Sequence, residues 1–427
     1  MRVEQAVPRS ISTQKLTAAA FAVAALGMAV DFRFRRRDPL LATGGDSDAQ
    51  ILFELAVWAG GAVWLVMRTL RSGRYAWINA PARLSKVIQT LGVFVILICF
   101  TSLYSPAPAV SMVRAAQWVI LFGLVASLSA DLRSLNSLEE FWIASRRAIW
   151  IVGTLAIVVS ATVPIAPSFD SEGRYRLFEM GPVGVGLFLG LLIVTLVGSY
   201  LGIEDPFFQT RGGQALRLVA LVLFVVLLVM TKTRGAMMAT VGGVGVSLWY
   251  AGGKNAKRLT LLAVSVLFGV VLSGALNAVI ESVIFRGQTG SDLAGFSGRV
   301  DLAADAIPLI NENLFFGHGY LAARVEFLDL AWGAGSAHNV FIEVIFSMGL
   351  VGLLVLIAVL VRLVEAQRRL LKAGTDRQRA AAVESAALLV FLLLLGTTEQ
   401  GFAKPGIEAV ALTWSVLLAT AGTSSSG

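Results

Sequence analysis

The sequence predicts an all-α polytopic membrane protein, with about twelve transmembrane helices and one long polar loop. Three observations carry this. The 427 residues are 56% hydrophobic and only 15% charged, with a mean hydropathy of +0.77. Apolar runs of ~17–25 residues recur from end to end, each long enough to cross a ~30 Å hydrocarbon core as a helix. One segment, 284–337, stays polar far beyond the ~12–15 residues of an ordinary connection. It is also too rich in aromatics and leucine to be a disordered linker.

The spans read as 16–31, 51–67, 87–104, 109–129, 148–166, 181–202, 216–232, 235–251, 259–283, 338–364, 381–397 and 405–421. The first follows Arg2, Arg9 and Lys15 as a signal peptide would, but the later spans favour an uncleaved first helix. No polar stretch elsewhere is long enough for a second domain. The chain therefore reads as one membrane domain, 1–427, with the 284–337 loop inserted between spans nine and ten. The single cysteine, Cys99, excludes an intrachain disulfide and a cysteine metal site. The terminal GTSSSG reads as a flexible tail.

Orientation follows from Lys and Arg in the connections. With the N-terminus inside, the inner connections hold 22 of these residues and the outer ones 12, although the outer set includes the longest loop. Both termini are then cytoplasmic and the long loop faces the periplasm of a two-membrane bacterium. The net charge of +8 is mostly this orientation signal, so no nucleic-acid partner is expected. Arg33, Arg35, Arg36 and Arg37 lie outside against the rule, which calls for an anionic partner.

The candidate chemistry gathers on that outer side. His338, in GSAHNVFIEV, stands where the long loop enters a helix that Ser336 or Asn339 can cap. It reads either as a capping or interfacial residue, or as a general base kept neutral by the positive end of the helix dipole. His318, between Gly317 and Gly319, reads first as a turn residue. Arg234 lies in MTKTRGAMM, in a connection so tight that its guanidinium is held at headgroup depth. It reads either as a snorkelling arginine or as a bidentate grip on lipid phosphate. Arg299, in FSGRVDL, leads into an amphipathic helix near 298–311 and has a bland alternative as a partner of Asp301 or Asp305. Arg174 and Arg176, with Arg286 and Lys232, add a cationic rim. Asp46 and Asp48 make a DxD too short to argue a metal site, and no Walker A, HExxH or nucleophile-elbow motif is present.

Taken in order, TRGA, SGR, the GHG turn and SAHN followed by an apolar helix with Glu343 and Gly349 resemble the O-antigen ligase family. That family shares this signature region with O-antigen polymerases and protein O-oligosaccharyltransferases. The resemblance implies a multi-span, GT-C-like glycosyltransferase of the bacterial inner membrane that needs no metal or cofactor and inverts the anomeric centre. Its donor would be O-antigen on undecaprenyl pyrophosphate. Its acceptor would be a sugar hydroxyl of lipid A–core, and lipopolysaccharide the product. The family's histidine falls on His338 and its arginines on Arg234 and Arg299, as donor pyrophosphate ligands. Arg33, Arg35, Arg36 and Arg37 then suit acceptor docking. A polymerase of undecaprenyl-linked repeats is the alternative within the class. A lipid-linked sugar flippase is the alternative outside it, with Arg114 as the intramembrane charge in its favour.

Overall fold

The computed structural model describes residues 13–33, 49–72, 85–132, 134–163, 167–251, 299–327 and 336–420. Among them the chain is helical, with only isolated bridges at Phe169–Tyr175 and Leu177–Met180. The long helices are α1 (Thr13–Asp31), α2 (Ala49–Ser72), α3 (Lys86–Ser102), α4 (Pro108–Asp131), α5 (Leu135–Thr162), α6 (Pro182–Leu201), α7 (Arg211–Met230) and α8 (Arg234–Ala251). After the gap come α9 (Arg299–Glu312), α10 (Ala323–Glu326), α11 (Val340–Ala373), α12 (Asp376–Gly396) and α13 (Ile407–Ala419). Eight of these are long and apolar enough to cross a membrane. Among the described residues, a helix occupies every expected span; the ninth, 259–283, lies outside them.

The ends are set by local chemistry. Ser85, Ser134, Thr210 and Asn339 each accept a backbone N–H as N-caps, and Thr375 with Gln378 forms a reciprocal capping box. Pro108 and Pro182 begin α4 and α6, where a missing N–H costs nothing. Two expectations need correcting. The fifth span starts at Leu135 rather than 148, because Ser134 caps it there. Arg146 and Arg147 therefore lie within α5 and not in an inner connection. Arg146 is fully buried against Glu384 of α12, and Arg147 pairs with Asp205.

Burial sorts the helices. Nearly all of α6 and all of α13 are enclosed, and α13 packs between α12 and α1. By contrast α2 and α7 keep most of their apolar surface exposed, as lipid-facing helices do. A helix wholly inside protein still needs its first N–H groups satisfied. Asp31, at the end of α1, supplies one acceptor, taking the N–H of Ile407 at 2.6 Å.

The most informative local feature is a break in α11 at Gly349, where φ is 66° and ψ −169°. That region of backbone space is essentially confined to glycine. The hydrogen bonds lost at the break are replaced by a segment of the preceding loop. His318 N donates to Phe346 O at 2.9 Å and Gly319 N to Ser347 O at 3.0 Å. In return Leu350 N donates to Leu314 O at 2.7 Å and Val351 N to Phe315 O at 3.2 Å. Four backbone bonds thus splice residues 314–319 into an open helix, and the loop becomes part of the bundle.

Candidate functional site

His338 is the last residue but one before α11, and its φ of 47° is unusual for a side chain with a Cβ. Four hydrogen bonds hold this turn. Ser336 Oγ accepts the His338 N–H at 3.0 Å, and Glu343 Oε2 accepts the Ala337 N–H at 3.1 Å. Asn339 Oδ1 caps the N–H groups of Phe341 and Ile342 at 2.9 and 3.2 Å. Of the two candidate caps, Asn339 is the one used; Ser336 instead fixes the histidine backbone.

The turn aims the imidazole at the connection between α12 and α13. His338 Nδ1 lies 3.3 Å from Glu399 Oε2, with the histidine side chain 38% exposed and the glutamate 13%. An ionised carboxylate at Nδ1 requires a proton there, which leaves Nε2 with its lone pair. The same carboxylate stabilises the imidazolium formed when Nε2 takes a proton, the logic of a His–carboxylate pair. Glu399 was not singled out from the sequence. Its one signal is that it is the only carboxylate in the short polar connection between the last two apolar runs.

Arg234 opens α8 on the other side of the same connection. The residue after it, Gly235, packs against Thr398, so close that a Cβ would collide with the threonine hydroxyl. Asn339 Nδ2 reaches Thr397 O at 3.3 Å. The turn 397–399 is therefore touched by the residue following Arg234, by Asn339 and by His338. The TRGA and SAHN segments, about a hundred residues apart, meet there.

The GHG turn has a different place. His318 stacks on Phe346, with ring centroids 4.6 Å apart, and its Nε2–H donates to Leu309 O at 2.7 Å. It ties α9 to α11 beside the splice. Two residues on, Tyr320 is a buried hub. Its carbonyl accepts Ser105 and Ser111 hydroxyls at 2.8 and 2.6 Å. Its own hydroxyl accepts Trp118 Nε1–H at 3.2 Å and donates to Ala403 O at 2.8 Å. Burial pushes the Tyr320 phenol well above its ordinary value. Arg324 follows in α10, and burial, then repulsion from Arg114 and Arg33, brings its guanidinium down to about 10. It remains cationic at neutral pH.

Of the expected cationic rim, Arg174 and Arg176 are paired with neighbouring carboxylates. Arg174 Nε bonds Asp170 Oδ2 at 2.8 Å and lies 3.3 Å from Glu172. Arg176 pairs with Glu179, and Lys232 Nζ donates to the Glu172 carbonyl at 3.1 Å. The Asp170 carboxyl is held below its usual range: its burial acts upward but is outweighed by the Arg174 N–H and guanidinium and the Glu172 N–H. Arg33 is exposed, and its carbonyl accepts the Glu179 N–H at 2.9 Å. Arg299 begins α9, but its side chain lies outside the described residues, as do Arg35, Arg36, Arg37, Arg286, Asp46 and Asp48. Among the described residues no group of three or more His, Cys, Asp or Glu side chains could hold a metal ion.

Comparison with known proteins bears on residues of both clusters. Residues 219–357 match the family described as O-antigen ligase, a stretch holding Arg234, Arg299, His318, Arg324, His338 and Gly349. A curated protein of Pseudomonas aeruginosa named O-antigen ligase is 27% identical over 257 residues. That match covers 60% of this chain and 58% of the relative, less than two thirds of its length. The region that carries the TRGA, SGR, GHG and SAHN elements is thus the one that is similar to the O-antigen ligase family.

Proposed function

We propose that the protein transfers O-antigen polysaccharide from undecaprenyl pyrophosphate to a sugar hydroxyl of lipid A–core. The observation that carries this reading is the His338–Glu399 pair, set on the same turn against which the start of α8 packs. In the proposed step the acceptor O–H gives its proton to His338 Nε2 while its oxygen attacks the anomeric carbon. The bond from that carbon to the pyrophosphate oxygen breaks, and the lipid pyrophosphate leaves with the electron pair. Attack from the opposite face inverts the centre. Glu399 stabilises the imidazolium, and Arg234 with Arg299 stabilises the charge gathering on the leaving group. The donor carries its own activation, so neither metal nor nucleotide is required.

This reading sets the protein in the inner membrane as a multi-pass enzyme, with its site and the 284–337 loop on the periplasmic face. Both substrates then arrive from the bilayer, and Arg33, Arg35, Arg36 and Arg37 serve as an electrostatic dock for the phosphorylated acceptor. The test is reconstituted transfer with purified donor, offered lipid A–core or a second undecaprenyl-linked chain. Polysaccharide appearing on lipid A–core supports the ligase. Elongation of the undecaprenyl-linked chain alone would make the protein a polymerase, and transbilayer movement of the donor without transfer would make it a flippase.

A further inference from the structure

The segment spliced into α11 carries two large apolar side chains out of the protein. Phe315 and Phe316 are 63% and 61% exposed, just after the exposed polar residues Asn311, Glu312 and Asn313. The backbone cannot withdraw them. It is bonded to both sides of the break, and a Cβ on Gly317 would lie 2.6 Å from Gly349 N and Phe346 O. On its other side the segment meets the end of α3, where the Tyr104 hydroxyl donates to Phe316 O at 2.6 Å. Val93, Ile96, Phe100 and Leu103 are exposed and recur at helical spacing, so they form one apolar stripe along α3. The Phe100 ring meets Tyr104 edge-on, with centroids 6.0 Å apart. The stripe therefore ends at the residue that holds Phe316.

Two helices measure the depth of this segment. Residues 344–361 of α11 hold no charge, a run of about 27 Å of helix against a ~30 Å hydrocarbon core. Gly349 lies within that run, about 9 Å from Glu343 and about 20 Å from Arg362. The second ruler is α3, which packs on α11. Tyr104 stands about 27 Å along it from Lys86. Both rulers put the spliced segment within the hydrocarbon or at its edge, at the end of the bundle that bears His338. Irregular backbone is tolerated at that depth only where protein satisfies and covers its polar groups. Here the Leu314, Phe315 and Phe316 carbonyls each accept a bond, and the Gly317, His318 and Gly319 N–H groups each donate one. Gly317 and Gly319 are buried, which leaves the phenylalanine rings facing outward.

We propose that residues 314–319 are a re-entrant element, with Phe315 and Phe316 seated among the acyl chains of the bilayer leaflet on the His338 side. Lipid is the occupant that the position selects. The patch continues the exposed stripe of α3, and two phenylalanines offer only a few hundred Å², well short of the ~800 Å² per partner of a stable protein interface. Residues 311–313 then stand at headgroup level. The His338 turn, about 16 Å from Gly349 along α11, stands at the water boundary. None of this depends on the transferase reading.

The experiment is site-directed spin labelling of the full-length protein in phospholipid nanodiscs. In a Cys99→Ser background, labels are attached singly to Phe315→Cys and Phe316→Cys, with Ile96→Cys as the lipid-facing reference and Glu312→Cys as the water-facing one. Collision with oxygen, which concentrates in acyl chains, is compared with collision with a water-soluble nickel chelate. The expected result is an oxygen-to-nickel ratio at both phenylalanine positions near that of Ile96→Cys and severalfold above that of Glu312→Cys. Nickel access equal to that of Glu312→Cys overturns the proposal. Shielding from both reagents, with spin–spin broadening, would mean that a second copy covers the patch, and overturns it too. Should the labelled variants fail to fold, Phe316→Trp keeps an aromatic side chain and gives a second reading. Phospholipid brominated on its acyl chains should quench a larger share of its fluorescence than of the wild-type signal. No added quenching in folded Phe316→Trp overturns the proposal.

Discussion

At the scale of single residues, the proposed step depends on how one imidazole is held. Glu399 lies 3.3 Å from His338 Nδ1, and the left-handed backbone at His338 turns the ring toward it. We predict that His338→Ala lowers turnover by ~10²–10⁴-fold, the usual worth of a general base. Glu399→Gln keeps a hydrogen-bonding group but can no longer stabilise the imidazolium, and should cost about tenfold or more in kcat. Both should leave the unfolding temperature near that of wild type. Near-normal kcat in purified His338→Ala would remove the base from the mechanism. Arg234→Lys should also fail, because an ammonium cannot reproduce a bidentate grip on phosphate. A donor KM and kcat like those of wild type in Arg234→Lys would end that assignment. None of these losses should be reproduced by chelator.

At the scale of elements, the break in α11 is what makes a loop part of the bundle. A glycine at 349 frees the carbonyls and N–H groups that residues 314–319 use, and that segment leads directly into Tyr320 and Arg324. Gly349→Ala would put a Cβ into the Phe315 carbonyl in a conformation essentially confined to glycine. The expected destabilisation is about 2 kcal/mol or more, accompanied by loss of protease resistance in the 314–327 segment. An Ala variant with unaltered stability and proteolysis would show that the splice is not under constraint. The cap on the same helix is smaller in effect: Asn339→Ala should cost about 1 kcal/mol. The helix over Arg299–Glu312 matches the position read from its apolar spacing, and it docks on α11.

At the scale of the whole molecule, the bundle is held by polar contacts between helices distant in sequence. Glu384 of α12 accepts from Arg146 at 3.2 Å, from the Trp142 indole and from the Ile203 N–H at 2.7 Å. The Arg146 guanidinium also donates to Ile203 O at 2.6 Å. Glu384→Ala leaves a buried, unpaired arginine and should destabilise the protein by about 3–5 kcal/mol, measured as thermal unfolding in detergent. Stability equal to wild type would mean that Arg146 finds water or another partner. Sidedness is open to a direct test. Cysteine introduced at Ser291 should be labelled from the periplasm, and cysteine at Gly374 protected. The reverse labelling would put the His338 turn in the cytoplasm and overturn the proposed substrates with it.

The sequence by itself determined the class of fold, because lipid leaves the backbone few solutions and long apolar runs announce one of them. It also determined which local segments carry unusual chemistry, since His318, His338, Arg234 and Arg299 stand out against an apolar background. It could not reveal partners. Glu399 lies 61 residues from His338 in the chain, and Arg146 lies 238 residues from Glu384. Periodicity along one helix carries no information about which face of another it meets. The same limit hid the pairing of Arg174 with Asp170 and of Arg176 with Glu179. Charge is legible residue by residue. Whether a charge is paired is a property of distances, and only the packed helices set those.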